Sequence, residues 1–254
     1  MTDRTRVGTR SRAAFFDVDE TLISVKSMFR FLAHHFAAIG RPPSAYDELI
    51  AELRALAAEG AGRAEVMRAY YRVYAGQRAA DLSAQGRAWF RREQSAGELF
   101  LPACVEAFQE HLRRGDLTVL VSGSFAPCLD PLADFLGAAQ VVGARLETVE
   151  GVHTGRLVTP MLGEDKAAAA QAVMDAHGMD PAECAAYGDH SSDLPMLLTV
   201  GHPVVVGDDP VLVRYATARG WRRLPGRTGC LDATTAPEDG AGFSPARPPP
   251  GWHR

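Results

Sequence analysis

The chain is poor in cysteine, in long apolar runs and in net charge, and each shortage excludes a class of protein. Only four cysteines occur in 254 residues, at Cys104, Cys128, Cys184 and Cys230. None forms a Cys-x-x-Cys pair and no histidine stands at zinc-ligand spacing, which argues against a disulfide framework and a structural zinc site. They read as buried free thiols in a reducing cytoplasm. The adjacent His34 and His35 sit in a helical run, where neighbours diverge by about 100° and share no ligand face. No stretch approaches the length of a membrane span, about 18 apolar residues. The net charge of −4 gives no pull toward nucleic acid or an anionic membrane.

What is present is a large apolar fraction, 46%, enough for one large domain or one domain carrying a smaller insertion. Arg4, Arg6, Arg10 and Arg12 open the chain with no signal-peptide run behind them. Residues 1–12 are expected to be a disordered basic arm, and 233–254, rich in Pro, Gly and Ala, a disordered tail. Short apolar runs at 13–18, 117–122, 139–146, 184–187 and 203–206 alternate with helical segments. That alternation predicts an α/β fold with a mainly parallel sheet and helices on both faces, its core formed by 13–24 and 101–232. Helical patterns at 25–39, 45–59, 63–74 and 80–95 have no strand between them. They predict an all-helical cap, residues 25–100, inserted after the first strand. The glycine-flanked stretch from Glu150 to Val158 predicts a β-hairpin with a structural role.

Four polar clusters follow apolar runs. The first strand ends in Asp17-Val18-Asp19-Glu20-Thr21. Period-two alternation aims Asp17 and Asp19 the same way if the extended run continues. Two such carboxylates are stable when a cation lies between them or one holds a proton. The first condition suits a nucleophile near phosphate, the second an acid that serves a leaving group. The second cluster, Ser122-Gly123-Ser124, offers a hydroxyl and backbone N–H groups to an anion. Lys166 opens an Ala-rich helix beside Glu164 and Asp165. The fourth cluster, Gly188-Asp189-His190-Ser191-Ser192-Asp193, offers Asp189 as a hard metal ligand. Asp193 is placed either to hold a metal water or to orient Lys166.

Taken in order, these clusters resemble the haloacid dehalogenase superfamily over residues 13–224. The helical insertion, Thr154-Gly155-Arg156 and the run from Gly188 to Leu197 resemble its phosphoserine-phosphatase-like branch. The resemblance implies a Rossmann-like core and a Mg²⁺-dependent phosphatase working through an aspartyl-phosphate. On that footing Asp17 is the nucleophile, Asp19 the general acid and base, and Ser122, Gly123 and Lys166 the phosphate holders. Magnesium is held by Asp17, the main-chain carbonyl of Asp19 and Asp189, with Asp193 behind them and Thr21 bracing the loop. Two departures bear on substrate. Lys26 replaces an amine-binding Glu, so a cation stands where an ammonium would bind. Gly207 replaces an Asn whose polar contacts only backbone N–H groups could supply. Lys26 and Arg30 are therefore candidate specificity residues, with Met28, Phe29, Arg68, Tyr71 and Arg72 as further cap lining. Tyr70, Tyr71 and Tyr74 at helical spacing fit packing. The expected partner is a small-metabolite phosphate ester, with no nucleic acid and no membrane, for a monomer or homodimer. The alternatives are a phosphotransferase using the same intermediate and a non-catalytic sensor of a phosphorylated ligand.

Overall fold

The structure, a computed structural model, describes residues 12–226. Residues 1–11 of the basic arm, the Pro-rich tail and Cys230 lie outside the described residues, whereas Arg12, expected in the disordered arm, is ordered with its Nε 3.1 Å from Asp116 Oδ1. Seven strands form one sheet in the order β4-β3-β2-β1-β5-β6-β7. They are β1 (Ala13–Phe16), β2 (Leu117–Phe125), β3 (Gln140–Val149), β4 (Val152–Thr159), β5 (Ala185–Gly188), β6 (His202–Val206) and β7 (Arg222–Leu224). Every pairing is parallel except β3 with β4. The central strand β1 is buried along its whole length, which is why its sequence is a continuous apolar run and not an alternating one.

Helices cover both faces. The helices of the fold are α1 (Ser27–Ala38), α2 (Pro43–Ala58), α3 (Arg63–Tyr71), α4 (Ala79–Ser95), α5 (Pro102–Arg114), α6 (Ala126–Leu136), α7 (Glu164–His177), α8 (Leu194–Leu197) and α9 (Pro210–Arg219). Period two sends Phe16 into one apolar layer with α5 and α6, and Phe15 into the other with α7, α8 and α9. Phe16 stacks on Tyr187 of β5 with ring centroids 4.2 Å apart. The Tyr187 hydroxyl lies 3.0 Å from His111 Nε2, and His111 Nδ1 lies 2.8 Å from Asp116. These contacts lock β1, β2, β5 and α5 beneath the ends of the strands. Cys104, Cys128 and Cys184 are buried free thiols. Among the described residues no helix is long and apolar enough to cross a membrane.

Helices α1–α4 follow β1 as one insertion. Tyr70, Tyr71, Tyr74, Phe31 and Trp89 are buried in it, so the tyrosines at helical spacing are packing residues. Two devices fix it to the sheet. On one side, a Cβ at Gly86 of α4 would lie 1.9 Å from the Pro127 carbonyl oxygen, so α4 rests directly on the α6 backbone. On the other, Gly76 N donates to His153 O at 2.8 Å, His153 N to Gln77 O at 2.9 Å and Ala79 N to Gly151 O at 2.9 Å. The hairpin is thus longer than its sequence suggests, since β3 is both a parallel sheet strand and the first hairpin arm. Its tip, Glu150-Gly151, has φ of 48° and 80°, the double positive φ that a two-residue hairpin turn requires.

Gly86→Ala tests the α4–α6 seat. At an exposed helical site Ala would gain about 1 kcal/mol over Gly. Here the added carbon meets backbone, so we expect a loss of about 1–3 kcal/mol in denaturant unfolding. Unchanged or raised stability would show that α4 is free to shift away.

Candidate active site

The candidate site lies where β1, β2 and β5 end, the edge at which parallel α/β sheets gather ligands. The chain leaves β1 through a tight loop. Val18 O accepts from the N–H groups of Thr21, Leu22 and Ile23 at 3.3, 2.9 and 3.0 Å. Glu20 takes a left-handed φ of 64° to allow it. The extended run ends in this turn. Asp17 meets Lys166, and Asp19 faces Ser27 of α1 while staying within reach of the charges of Asp17 and Lys166.

Lys166, in the first turn of α7, is buried at 3% exposure. Its Nζ donates to Asp17 Oδ1 at 2.5 Å and to Asp193 Oδ1 at 2.6 Å. Burial alone would push the lysine toward neutrality, but the two carboxylates outweigh it and hold the ammonium charged well above its usual range. Asp193 thus makes the contact that orients Lys166, and its carboxylate also stands beside Asp17 and Asp189. Its other oxygen accepts from His190 N at 3.2 Å, closing a capping box at the start of the 3₁₀ turn Ser191–Asp193. A Cβ at Gly188 would lie 2.6 Å from the Asp193 Cβ, so only glycine leaves room for this packing.

Oxygens of Asp17, Asp189 and Asp193 lie within 4.8 Å of one another. Three carboxylates face one ammonium there, an excess of negative charge in a desolvated place. Burial, then the charges of Asp17 and Asp193, push Asp189 up to about 9. Burial also raises Asp17 against the opposing pull of Lys166. A proton on Asp189 relieves the excess, and so would a divalent cation. Clustered carboxylate oxygens are the donor set that hard divalent cations take, so the residues fit such an ion. Thr21 Oγ1 donates to Asp189 Oδ1 at 2.9 Å, bracing the acid of the fourth cluster as well as its own loop.

Ser122 and Gly123 lie at the end of β2, where a shift of register between Ser122 and Phe125 re-aims the chain. Ser122 is buried and its Oγ accepts from Ser124 N at 3.1 Å. The Gly123 carbonyl accepts from the Tyr71 hydroxyl of α3 at 2.8 Å, so Tyr71 belongs both to the packing cluster and to the rim of the site. Asp19 is pushed up to about 7, by burial first and then by Asp17, against hydrogen bonds from Ser27.

The specificity candidates behave differently. Lys26 is exposed and its Nζ lies 3.3 Å from Glu20, so its charge is shared at the mouth of the site. Arg30 is committed to Glu93 of α4, with Nη2 at 2.9 Å, and is not brought into the carboxylate cluster. Arg68 and Arg72 are exposed. Gly207 does not supply backbone donors to the site in place of an Asn. Its N–H goes to Leu224 O of β7 at 3.0 Å, because β6 and β7 continue their ladder there.

Two residues at the site escaped the sequence reading. Asp209 accepts from Ser191 N at 3.1 Å and from Val211 N and Leu212 N at 2.9 and 3.0 Å, tying the fourth cluster to the start of α9. Asp followed by Pro210 is the sequence mark of a helix cap and could have revealed it. Arg63, at the start of α3, places Nη1 3.0 Å from both His190 Nδ1 and Ser192 Oγ. One exposed arginine among many on the insertion carries no such mark.

A parallel α/β sheet with a buried lysine–carboxylate cluster at its strand ends defines an enzyme core of the Rossmann-like type. The sequence pattern of the haloacid dehalogenase-like hydrolases matches residues 14–198. A Streptomyces azureus protein described as an inhibition of morphological differentiation protein is 32% identical over 227 residues, 82% of this chain and 76% of that protein. Phosphoserine phosphatase SerB1 of Mycobacterium tuberculosis is 30% identical over 219 residues, 82% of this chain and 69% of that protein. A Bordetella pertussis Tohama I protein of unknown function superposes with a TM-score of 0.75 at 25% identity, covering 85% of this chain and 99% of that one. A phospho-aspartyl intermediate analogue of phosphoserine phosphatase shares the fold, with a TM-score of 0.59 at 17% identity over 81% of this chain and 90% of that one. The chain belongs to the haloacid dehalogenase-like hydrolase family, as a phosphoserine-phosphatase-like member.

The raised Asp189 makes cation binding a proton-releasing event. At pH 8 a carboxyl with a pKa of about 9 is mostly protonated, and it must ionise to bind a cation. Adding Mg²⁺ or Mn²⁺ to metal-free protein in weak buffer at pH 8 is expected to release protons. Asp189→Asn should lower that release. Binding with no proton release would mean that the cation sits elsewhere.

Proposed function

We propose that this hydrolase is a Mg²⁺-dependent phosphatase that cleaves the phosphate monoester of a small metabolite through an aspartyl-phosphate. Residues 25–100 act as a cap over a core formed by 13–24 and 101–226. The observation that carries the reading is the buried Lys166 held between Asp17 and Asp193, 2.5 and 2.6 Å away. A carboxylate fixed at a strand end by an ammonium is aimed and not free to rotate, and the same ammonium is at hand for a phosphoryl oxygen.

In the first half-reaction an Asp17 oxygen attacks phosphorus and the bond from phosphorus to the ester oxygen breaks. Asp19, pushed up to about 7 by burial, is partly protonated at neutral pH, and in that form gives its proton to the departing alkoxide. In the second, the Asp19 carboxylate takes a proton from a water that attacks the same phosphorus, and the Asp17 carboxylate leaves. Lys166, the Ser122 hydroxyl and the Gly123 N–H hold the equatorial oxygens, on which charge rests in a loose transition state. Asp193 and Thr21 keep Lys166 and Asp189 in place. Held by Asp17, the Asp19 main-chain carbonyl and Asp189, Mg²⁺ would supply positive charge against the phosphoryl oxygens. Lys26, paired with Glu20 at the mouth, disfavours a substrate carrying an ammonium there.

Phosphate release from a panel of metabolite phosphates, with and without Mg²⁺, tests the reading beside Asp17→Asn. The expected result is metal-dependent release that the variant lowers by about 10³-fold or more. Release that survives in the variant would remove Asp17 as nucleophile. Phosphate passed to an added alcohol in preference to water would reassign the enzyme as a transferase, and ligand binding without turnover would make it a sensor.

A further inference from the structure

Asp19, among the groups of the proposed chemistry, has its hydrogen-bonding neighbour in the helical insertion. Its carboxyl faces the hydroxyl and the backbone N–H of Ser27, the first residue of α1. No side chain caps α1 at Lys26, and the first N–H groups of a helix have no partner within the helix. The Asp19 carboxyl therefore serves as the acceptor that α1 lacks, from a residue eight positions upstream in the core loop. Ser27 is fully buried and Ser124, at the end of β2, is 1% exposed. Their hydroxyl oxygens lie 2.8 Å apart. The Cys128 thiol lies against both hydroxyls, and burial raises it so that it stays neutral. The Asp19 Oδ1 is buried and has no protein partner.

We propose that Ser27, backed by Ser124, is the positioning residue for Asp19 in both halves of the reaction. The inference rests on the reading of Asp19 as the proton donor and acceptor. A hydroxyl has one proton to give and can accept two. With Ser124 donating to Ser27, the Ser27 hydroxyl can donate to one oxygen of the Asp19 carboxyl and leave the proton on the other oxygen free for the ester oxygen. Once that proton has gone to the leaving alkoxide, the same bond from Ser27 holds the carboxylate. Ser27 thus keeps one hydrogen bond on Asp19 before and after the transfer, and no covalent bond changes in the serine pair itself. An alanine at either position weakens or removes that support, and an unsatisfied carboxyl is free to turn away from the ester oxygen. Because Ser27 starts α1, the seating of the insertion also sets the position of the acid.

The test compares two leaving groups in full-length, Mg²⁺-loaded protein. An alkyl phosphate needs a proton on its leaving oxygen, whereas p-nitrophenyl phosphate expels a stable phenolate without one. General-acid help of this kind is worth about 10²–10⁴-fold. The comparison is made on kcat/KM, which reads the steps up to the aspartyl-phosphate and leaves out the water-activation step common to both esters. Asp19→Asn should therefore lose far more kcat/KM on the alkyl ester than on p-nitrophenyl phosphate. Equal losses there would remove Asp19 as the acid, and the inference with it. Given that control, Ser27→Ala is expected to lose about 10-fold or more in kcat/KM on the alkyl ester beyond its loss on p-nitrophenyl phosphate. Ser124→Ala should show the same selectivity to a smaller extent, and Ser27→Thr, which keeps a hydroxyl, should restore the alkyl ester rate. Equal losses on both esters in Ser27→Ala, matched by a drop in unfolding midpoint, would show a merely structural serine and overturn the proposal. An unchanged alkyl rate in folded Ser27→Ala would overturn it as well.

Discussion

The arrangement at the strand ends depends on one interaction, the buried ammonium of Lys166 between Asp17 and Asp193. Desolvating a charge costs several kcal/mol unless close partners replace the lost water. Lys166 has two such partners from distant parts of the chain, and each needs its own scaffold. Asp17 is held by β1, buried between β2 and β5. Asp193 is held by its bond to His190 N and by the absence of a side chain at Gly188. Lys166 itself reaches the pair because α7 begins at the site, with Glu164 and Asp165 in the same turn. Loss of any one of these supports would leave a buried charge unpaired.

The same cluster explains why a hard divalent cation suits the place. One ammonium does not balance three carboxylates whose oxygens lie within 4.8 Å of one another. Burial and the neighbouring carboxylates raise the Asp189 pKa to about 9, so the excess of negative charge falls where a cation would relieve it. The second carboxyl of the first loop still feels Asp17 and Lys166, but its hydrogen-bonding neighbour is Ser27 at the start of α1. Nucleophile and acid thus stand two residues apart in sequence with different hydrogen-bond partners, which suits opposite roles.

The insertion is held at its base and touches the site at its tip. The α4–α6 seat at Gly86 and the three backbone bonds to the β3–β4 hairpin use main-chain atoms, which leave little freedom to slide. Toward the strand ends the contacts are side chains: Tyr71 on Gly123, Ser27 on Ser124, and Arg63 on His190 and Ser192. The hairpin therefore does more than its glycine pattern suggests, since it carries the insertion as well as closing one edge of the sheet.

The sequence by itself determined the alternation of strands and helices, the helical block after β1, and the identity of the charged residues at the ends of strands. Those features are local, written in apolar periodicity, in glycine breaks and in polar residues that follow apolar runs. The element bounds differ by a few residues where a bulge lengthens β2 or a 3₁₀ turn ends α3. Only the tertiary structure decided which charges meet. Lys166 and Asp17 are 149 positions apart, and Arg63 and Ser192 are 129, separations over which no periodicity survives. It also assigned Arg30 to Glu93, the Gly207 N–H to β7 and Asp209 to the fourth cluster, because pairing of exposed or loop residues follows from packing of whole elements. The turn that follows β1 was equally out of reach. It depends on Val18 O collecting three N–H groups, and a carbonyl's partners are settled by the path of the folded chain and not by the side chains along it.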